Sequence, residues 1–206
     1  MNDTQFNGAQ PHNEVRAMPL GMVRRFFNTY GGRLPSFLLE WTLQSLIAWI
    51  DGPLGLLLRR LLYTTFIHHT KGRFFIWPGV SLQHSYGLSI GRDTCINTGA
   101  VIDARGGLWI GDHVLIGPNV VIVSSTHDIS SSPIISAAHI LKPTIIGDDV
   151  WIGANAVIMG GVSLATGCVI GAGAIVTKPT DRFGVYVGNP ARLIRYRSVG
   201  EGPTVV

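Results

Sequence analysis

From residue 76 onward an aliphatic residue recurs at every sixth position, and this period constrains the fold more than any other feature of the chain. Glycine often follows the aliphatic, as in IGRDTC, IGDHVL and IGANAV, and a small or β-branched residue usually stands four positions after it. A period of six fits neither the 3.6 of an α-helix nor the alternation of a strand. It is typical of a parallel β-helix, in which each short strand buries one aliphatic side chain and then turns a corner. The repeating aliphatics are Ile76, Leu82, Ile90, Ile96, Ile102, Ile110, Ile116, Ile122, Ile146, Ile152, Ile158, Leu164, Ile170 and Val176.

The period is broken in three places. The steps from Leu82 to Ile90 and from Ile102 to Ile110 are each eight residues long, which fits a longer corner. Between Ile122 and Ile146 the pattern is lost, but it resumes in phase after 24 positions. The sequence therefore predicts that residues at about 123–145 leave the coil as a loop excursion, and insertions of this kind often carry a binding site.

The chain before the repeat has two parts. Residues 1–20 are polar and without period, which predicts a loose arm. Residues 21–70 form an apolar segment in which Asp51-Gly52-Pro53 is a turn signal, so we expect two helical pieces rather than one. Each piece is too short to span a bilayer. The repeat domain is predicted over 71–190, followed by a tail at 191–206.

Two interpretations of the helical segment stay open. Trp41 and Trp49 stand among leucines with arginines nearby, which fits a helix pair on a membrane surface. The alternative is that the pair covers the end of the core or packs against another subunit. No secretory signal is visible at the N-terminus, so we expect a cytoplasmic protein, at the inner face of the membrane if the helices dock there.

Charge and cysteine content exclude some classes of site. Cys95 and Cys168 are far apart and show no CxxC spacing, which indicates neither a disulfide framework nor a structural metal. The net charge is +4, and the cations crowd the C-terminal part. This cluster suits an anionic ligand such as a phosphate, or a basic surface that is merely solvated. Its members are Lys178, Arg182, Arg192, Arg195 and Arg197.

Five motifs together carry a family resemblance: the repeat itself, STHD, KPTIIGDDVWIGANAVIMGGV, GAGAIVTK and GNPARLIR. Over roughly residues 70–197 the chain resembles the hexapeptide-repeat O-acetyltransferases, and most of all the colanic acid and exopolysaccharide, maltose and galactoside enzymes. The resemblance implies a mainly β fold, a left-handed parallel β-helix, and a homotrimer with active sites between subunits. Handedness rests on the resemblance alone, because parallel crossovers are ordinarily right-handed.

The implied activity is transfer of acetyl from acetyl-CoA to a hydroxyl of a sugar or polysaccharide precursor. A hydroxyl is a weak nucleophile at neutral pH, so the reaction needs a base, for which histidine is suited. His127, in the polar stretch SSTHD, matches the family's catalytic position. His113 and His139 are weaker candidates, and His84 is expected at the surface.

The resemblance also implies ligand-binding positions. On the acceptor side, Asn97 and Asp103 are candidates, Asp128 would orient the base unless a backbone carbonyl does so, and Trp151 is either near the active site or in the core. On the donor side, small residues let coenzyme A approach the backbone. The candidates there are Ala154, Ala172, Thr177, Lys178 and Arg195. Lys142 closes the excursion and is a structural candidate.

Two other functions remain as alternatives. A zinc enzyme resembling the γ-carbonic anhydrases would need three histidines converging on the metal, of which His113 and His127 are available. A non-catalytic hexapeptide scaffold would leave the excursion and the basic C-terminus without a role. We expect acetyl-CoA as co-substrate, no metal and no nucleic-acid partner, and the sequence does not identify the carbohydrate acceptor.

Overall fold

The computed structural model describes residues 34–130 and 138–198. The predicted arm at 1–20, the start of the helical segment, the middle of the excursion and the end of the tail lie outside these ranges. The chain divides into two compact units, with the boundary between Leu39 and Glu40. Within the described ranges the first unit contributes only the beginning of a helix, and all contacts given below lie within the second.

Two helices precede the repeat, α1 (Leu34–Ile47) and α2 (Gly52–Phe66). They are separated where the turn signal predicted, because Asp51 is the N-cap of α2 and its Oδ1 accepts a hydrogen bond from Gly52 N at 2.7 Å. Pro53 occupies the first turn of α2, where the missing amide hydrogen costs nothing. The predicted division into two helices is confirmed.

The repeat folds into short strands on three faces. In chain order they are β1 (His69–Thr70), β2 (Phe74–Ile76), β3 (Ser81–Gln83), β4 (Leu88–Ile90), β5 (Thr94–Ile96), β6 (Val101–Asp103), β7 (Leu108–Ile110), β8 (Leu115–Ile116), β9 (Val121–Val123), β10 (Ser125–His127), β11 (His139–Leu141), β12 (Thr144–Ile146), β13 (Trp151–Ile152), β14 (Val157–Ile158), β15 (Ser163–Leu164), β16 (Val169–Ile170), β17 (Ile175–Val176), β18 (Gly184–Val187) and β19 (Arg192–Tyr196).

Parallel pairing between successive turns makes a β-solenoid of about six turns. The first face holds β1, β4, β7, β12 and β15, the second begins with β2 and β5, and the third holds β3, β6, β9, β14 and β17. The first corner joins the first face to the second, the second corner joins the second to the third, and the third corner leads to the next turn. The predicted parallel solenoid with a helical N-terminal segment is confirmed.

The core is the column of repeating aliphatics. Each of the fourteen side chains predicted from the period is at most 4% exposed. The positions four residues later are buried too, as Ala100, Val120 and Ala156 show. Removing one such aliphatic side chain costs about 2–5 kcal/mol, because the close-packed interior cannot collapse onto the gap. The two buried positions per repeat therefore explain why the period is kept so strictly.

The corners repeat a backbone conformation as well. After ten of the fourteen core aliphatics the third residue has a positive φ, which favours glycine and, among other residues, asparagine, aspartate and histidine. Glycine fills the position at Gly79, Gly99, Gly161, Gly167 and Gly173, and a polar residue fills it at Asp93, His113, Asn119, Asp149 and Asn155. This requirement explains much of the polar and glycine content between the strands.

The helices pack on the open end of the solenoid through buried polar contacts. Arg59 is 1% exposed, and its Nε donates to Ile76 O at 2.7 Å. Gln44 Nε2 donates to Leu82 O at 3.1 Å, and Gly79 N donates to Ala48 O at 2.8 Å. Tyr63 and Ile67 join the hydrophobic core. The interpretation that the helices cover the end of the core is therefore correct for this face of the pair.

The outer surface of the helices and of the turn between them is apolar and exposed in the single chain. Its large exposed side chains are Trp41, Leu46, Trp49, Leu54, Leu57 and Leu61. Among the described helices, none is both long enough and apolar enough to cross a membrane. This apolar surface is the part of the segment that could contact a membrane or another subunit, so both interpretations stay open for it.

Candidate functional site

The excursion begins as a two-stranded hairpin at the third corner. It leaves the coil after β9 ends at Val123 and returns where β12 begins at Thr144, which confirms the predicted loop at about 123–145. Strands β10 and β11 pair antiparallel, with Ser125 opposite Leu141 and His127 opposite His139. The hairpin therefore holds two histidines side by side outside the solenoid core.

The two histidine rings are in contact. The ring centroids of His127 and His139 are 4.3 Å apart with the planes tilted by 46°, and both side chains are exposed. Desolvation, followed by the positive charges of Arg105 and His127, lowers the pKa of His139. A neutral His139 imidazole is therefore favoured beside His127. His113, on a corner elsewhere, is exposed as expected.

A buried hydrogen-bond network lies beneath the hairpin. His84 Nδ1 is 2.7 Å from Asp103 Oδ1, and the same oxygen accepts from Arg105 N at 3.0 Å. Ser124 Oγ donates to Asp103 O at 2.9 Å and accepts from Gly106 N at 2.8 Å. Because Ser124 immediately precedes β10, this network anchors the first strand of the hairpin to the previous turn.

The prediction that His84 is a surface residue was wrong. His84 is only 4% exposed, and its left-handed backbone conformation directs the ring inward to Asp103. Burial raises the pKa of Asp103, but the hydrogen bonds from His84 and from the Arg105 amide outweigh it, so that the pKa lies below its ordinary value. Asp103 is thus an ionised acceptor, and Nδ1 is the protonated nitrogen of His84. In the single chain, Asp103 holds the corner together.

The hairpin closes on the neighbouring turns through Lys142. Lys142 N donates to Ser124 O at 2.8 Å, and Lys142 O accepts from Gly161 N at 3.1 Å. A side chain at Gly160 would lie 3.0 Å from Lys142 Cβ and 3.2 Å from Ser125 N, so the glycine makes room for the hairpin base. These contacts agree with a structural role for Lys142.

Asp128 forms a local turn next to the catalytic candidate. Its Oδ1 accepts from Ser130 N at 2.9 Å and from Ser130 Oγ at 2.6 Å. These bonds fix the chain direction just after His127, as aspartate does in turns.

Four of the predicted residues lie away from the hairpin, on the second face and second corner. Trp151 begins β13, points outward and is half exposed, so it is not part of the core of this chain. Asn97 is at the second corner, where its Oδ1 accepts from Thr98 N at 3.0 Å. Ala154 and Ala172 occupy the same corner on later turns, and Ala154 O accepts from Gly173 N at 2.8 Å. In one chain, the third face separates this corner from the hairpin corner.

The predicted donor cations lie at the far end of the solenoid. Thr177 and Lys178 follow β17 at the third corner, two turns beyond the hairpin and about 10 Å from it by strand spacing. Arg195 lies on β19, opposite Val185 of β18, and is exposed. Arg197 is instead engaged by Asp149 at 3.2 Å. Within residues 34–130 and 138–198, neither Lys178 nor Arg195 forms an ion pair.

The structure thus groups the hairpin, Asp103 and Lys178 along one corner and Asn97, Ala154 and Ala172 along another. Sequence reasoning missed the contribution of His84, Arg105 and Ser124 to the first group. The sequence did carry a signal for the contact between His84 and Asp103. The two steps of eight residues lie one turn apart, so their added residues must stack on one another. Across the part of the chain that the structure describes, no three histidine, cysteine or acidic side chains cluster as a metal site would require.

Comparisons with known proteins agree with this architecture. The family described as hexapeptide repeat of succinyl-transferase matches residues 143–178. A Schizosaccharomyces pombe protein named as acetyltransferase C18B11.09c is 32% identical over 146 residues, covering 70% of each chain. Galactoside O-acetyltransferase of Escherichia coli is 36% identical over 121 residues, which are 59% of this chain and 60% of the relative.

A solved structure gives the same picture at the level of the fold. It is a hexapeptide-repeat acetyltransferase from Vibrio cholerae in complex with acetyl coenzyme A. Its sequence is 28% identical, the TM-score is 0.71, and the match covers 78% of this chain and 86% of that one.

Proposed function

The chain belongs to the hexapeptide-repeat acetyltransferases, and from that premise we propose that it transfers acetyl from acetyl-CoA to a hydroxyl of a sugar or polysaccharide precursor. The observation that carries the proposal is the hairpin, which presents the exposed His127 at the third corner on a base anchored by buried hydrogen bonds. Relatives named for galactoside and structures with bound acetyl coenzyme A support the substrate classes.

In the proposed reaction His127 acts as general base. It removes the proton of the acceptor hydroxyl as that oxygen attacks the thioester carbonyl carbon. The carbon–sulfur bond then breaks, and the proton passes from His127 to the departing thiolate. The lowered pKa of His139 makes a second imidazolium beside His127 unfavourable, so the charge that forms during proton transfer stays on one ring. Release of free thiol in the presence of a sugar acceptor tests the activity directly.

We place the nucleotide end of acetyl-CoA at the C-terminal cations. Arg195→Ala with Lys178→Ala should raise the KM for acetyl-CoA roughly tenfold, the equivalent of one lost charge-assisted contact. The value of kcat should change little, because these charges would hold a remote part of the donor equally in ground and transition states. Initial rates at varied acetyl-CoA measure both constants.

Arg73→Ala provides the matched control for this pair. It removes one positive charge, as each of the two substitutions does, but at the opposite end of the solenoid, where an exposed ion pair with Asp93 at 3.2 Å contributes little. Its KM for acetyl-CoA should equal that of the wild type. Equal changes in the donor and acceptor KM values of the Arg195 and Lys178 variant would place the nucleotide elsewhere.

We further propose a homotrimer with active sites between subunits. His127 and the second-corner residues Asn97, Ala154 and Ala172 lie on opposite sides of the third face, so a second copy is needed to bring both groups to one acetyl-CoA. Four outward side chains on successive strands of that face, from β6 to β17, are aliphatic and half-buried: Val101, Val121, Val157 and Ile175. An apolar row of this kind favours a contact between copies.

The apolar outer surface of the helices is proposed to dock on the membrane, where lipid-linked sugars would be acetylated at the cytoplasmic face. The wild type should then float with anionic liposomes, and Trp41→Glu with Trp49→Glu should abolish flotation because tryptophan anchors at the interface. Both side chains are more than half exposed in the chain, so the variant should fold. Gel filtration checks the oligomer in parallel. A wild-type trimer that ignores lipid, with a double mutant that dissociates, would identify the surface as a subunit contact.

A further inference from the structure

A groove of about 670 Å³ crosses the first face of the solenoid. Its walls combine exposed aromatic and aliphatic side chains with hydrogen-bonding groups. Trp109, Tyr86 and Ile145 supply the apolar part, and His69, Ser89 and Asp148 are among the polar groups. Its strands run from β1 to β12, which is roughly 14 Å by strand spacing. The groove is therefore longer than a single sugar ring.

Trp109 is the principal side chain of this groove. It points outward from the middle of β7, between Ser89 of β4 and Ile145 of β12, and is 47% exposed. Its ring lies against Gly107, where a Cβ would be 2.9 Å from the indole and where φ is 96°. The small neighbours Ser89 and Gly107 leave the indole uncovered within the chain.

The groove begins at the corner from which the hairpin leaves. Tyr86 lies edge-on to the His84 ring, with centroids 5.9 Å apart and planes at 88°. His84 in turn binds Asp103 beneath the hairpin base. Gly107 O accepts from Thr144 N at 3.0 Å, which joins the groove wall to the first residue after the excursion. A ligand bound along the groove would thus extend away from the His127 corner.

We propose that this groove binds the flanking sugar units of an extended carbohydrate acceptor, while the unit to be acetylated lies at the hairpin. The proposal rests on the proposed O-acetyltransferase function and makes its acceptor an oligosaccharide or polysaccharide rather than a free monosaccharide. The carbon–hydrogen faces of sugar rings pack on aromatic side chains such as Trp109, and their hydroxyls need mixed donors and acceptors, which the polar side chains provide.

The charges of the groove favour a neutral saccharide over the phosphates of the donor. Asp112 and Asp148 line it, and only Lys71 among its lining residues is always cationic. Asp148 Oδ1 already accepts from Asp112 N at 2.8 Å, and Asp112 Oδ1 accepts from Arg92 N at 3.1 Å, so both carboxylates are held in place. Asp112 is also paired with Arg92 Nε at 3.1 Å, which leaves Asp148 as the negative charge that an anionic ligand would meet here, whereas Lys178 and Arg195 offer it positive charge elsewhere.

Binding of defined saccharides, from monosaccharides to hexasaccharides on a glycan array, tests the proposal without acetyl-CoA. Wild-type affinity should rise with chain length beyond the disaccharide. Trp109→Ala should lower the affinity for the longer members at least about tenfold, since stacking is lost, and leave monosaccharide binding unchanged. Phe75→Ala is the matched control, because Phe75 is 42% exposed on the second face and lies outside the groove. It should bind as the wild type does.

The outcomes separate this inference from the proposed function. Affinity that does not depend on length, no binding on the array, or an unaffected Trp109→Ala protein would overturn the groove assignment. So would a Trp109→Ala protein whose only change is a smaller oligomer by light scattering, because the groove would then be a contact between copies. Acetyl transfer assayed on the same saccharides is scored separately. Length-dependent binding without acetyl transfer would reject the proposed acetyltransferase function and support the saccharide-binding groove. Transfer to monosaccharides without length-dependent binding would support the proposed function and reject the groove.

Discussion

Replacement of His127 by alanine should lower acetyl transfer roughly a hundredfold to ten-thousandfold, the range for loss of a general base. The fold should survive, because His127 is exposed at the end of β10, outside the column of repeating aliphatics. The hairpin base is held from Ser124 and Lys142, neither of which is altered. Thiol release with a panel of sugar acceptors gives the rate, and circular dichroism with light scattering confirms that the variant is folded and assembled.

Two histidine variants make this test specific. His113→Asn is the matched control, because His113 is an exposed histidine whose left-handed corner conformation asparagine accepts, and its activity should be normal. His139→Ala distinguishes the two hairpin rings, and a larger loss there than at His127 would transfer the role of base to His139. Chelation tests the zinc alternative. Wild-type activity that survives chelation would exclude a zinc-dependent reaction, and activity that disappears when bound zinc is removed would support the carbonic anhydrase alternative.

The solenoid was predictable because its information is local and repeated. A residue such as Ile96 or Ile152 is buried for the same reason as every sixth neighbour, so one pattern predicts the whole core. The excursion was predictable as a break in that pattern. The turn at Asp51 was predictable since N-capping and proline chemistry involve only adjacent residues.

The arrangement at the candidate site was less accessible from sequence. His84 and Asp103 meet only because two corners, each lengthened by two residues, stack one turn apart, and a histidine in isolation resembles a solvated loop residue. The contact depends on a left-handed backbone at His84 that turns the ring inward, which the identity of the residue does not dictate. Similarly, Ala154 and the hairpin are separated because they occupy different corners of the solenoid. The corner that a residue occupies depends on how the whole coil winds, and neither motif reveals it.

Among the contacts that hold the helices on the solenoid, one comes from Arg59, a side chain that composition alone would place in solvent. Arg59 Nε donates to Ile76 O, while its Nη1 donates to Ile50 O at 2.7 Å and to Ile47 O at 3.1 Å. The guanidinium thus joins the end of α1, the link between the helices and the first turn. Desolvation lowers the pKa of Arg59, which shows that burial of this charge opposes part of the gain. The three carbonyl partners offset this cost, whereas Nη2 is buried without a hydrogen-bond partner in the part of the chain that the structure describes.

Replacing Arg59 with leucine should destabilise this end by about 2–4 kcal/mol, because each buried acceptor left without its donor costs about 1–3 kcal/mol and relief of the desolvated charge offsets only part of that. Arg59→Lys keeps the charge but lacks the planar fork, so it should be intermediate. Arg60→Leu is the matched control: Arg60 is adjacent and exposed, and the free energy of unfolding should change by no more than about 0.5 kcal/mol.

Urea unfolding, monitored by the helical circular dichroism signal, measures the stability of α1 and α2, because the rest of the described chain is mainly β. Since neighbouring turns stabilise one another, the helices should melt before the solenoid in the Arg59→Leu protein. Equal unfolding midpoints for Arg59→Leu and Arg60→Leu would mean that the helices are not held on the solenoid by this residue.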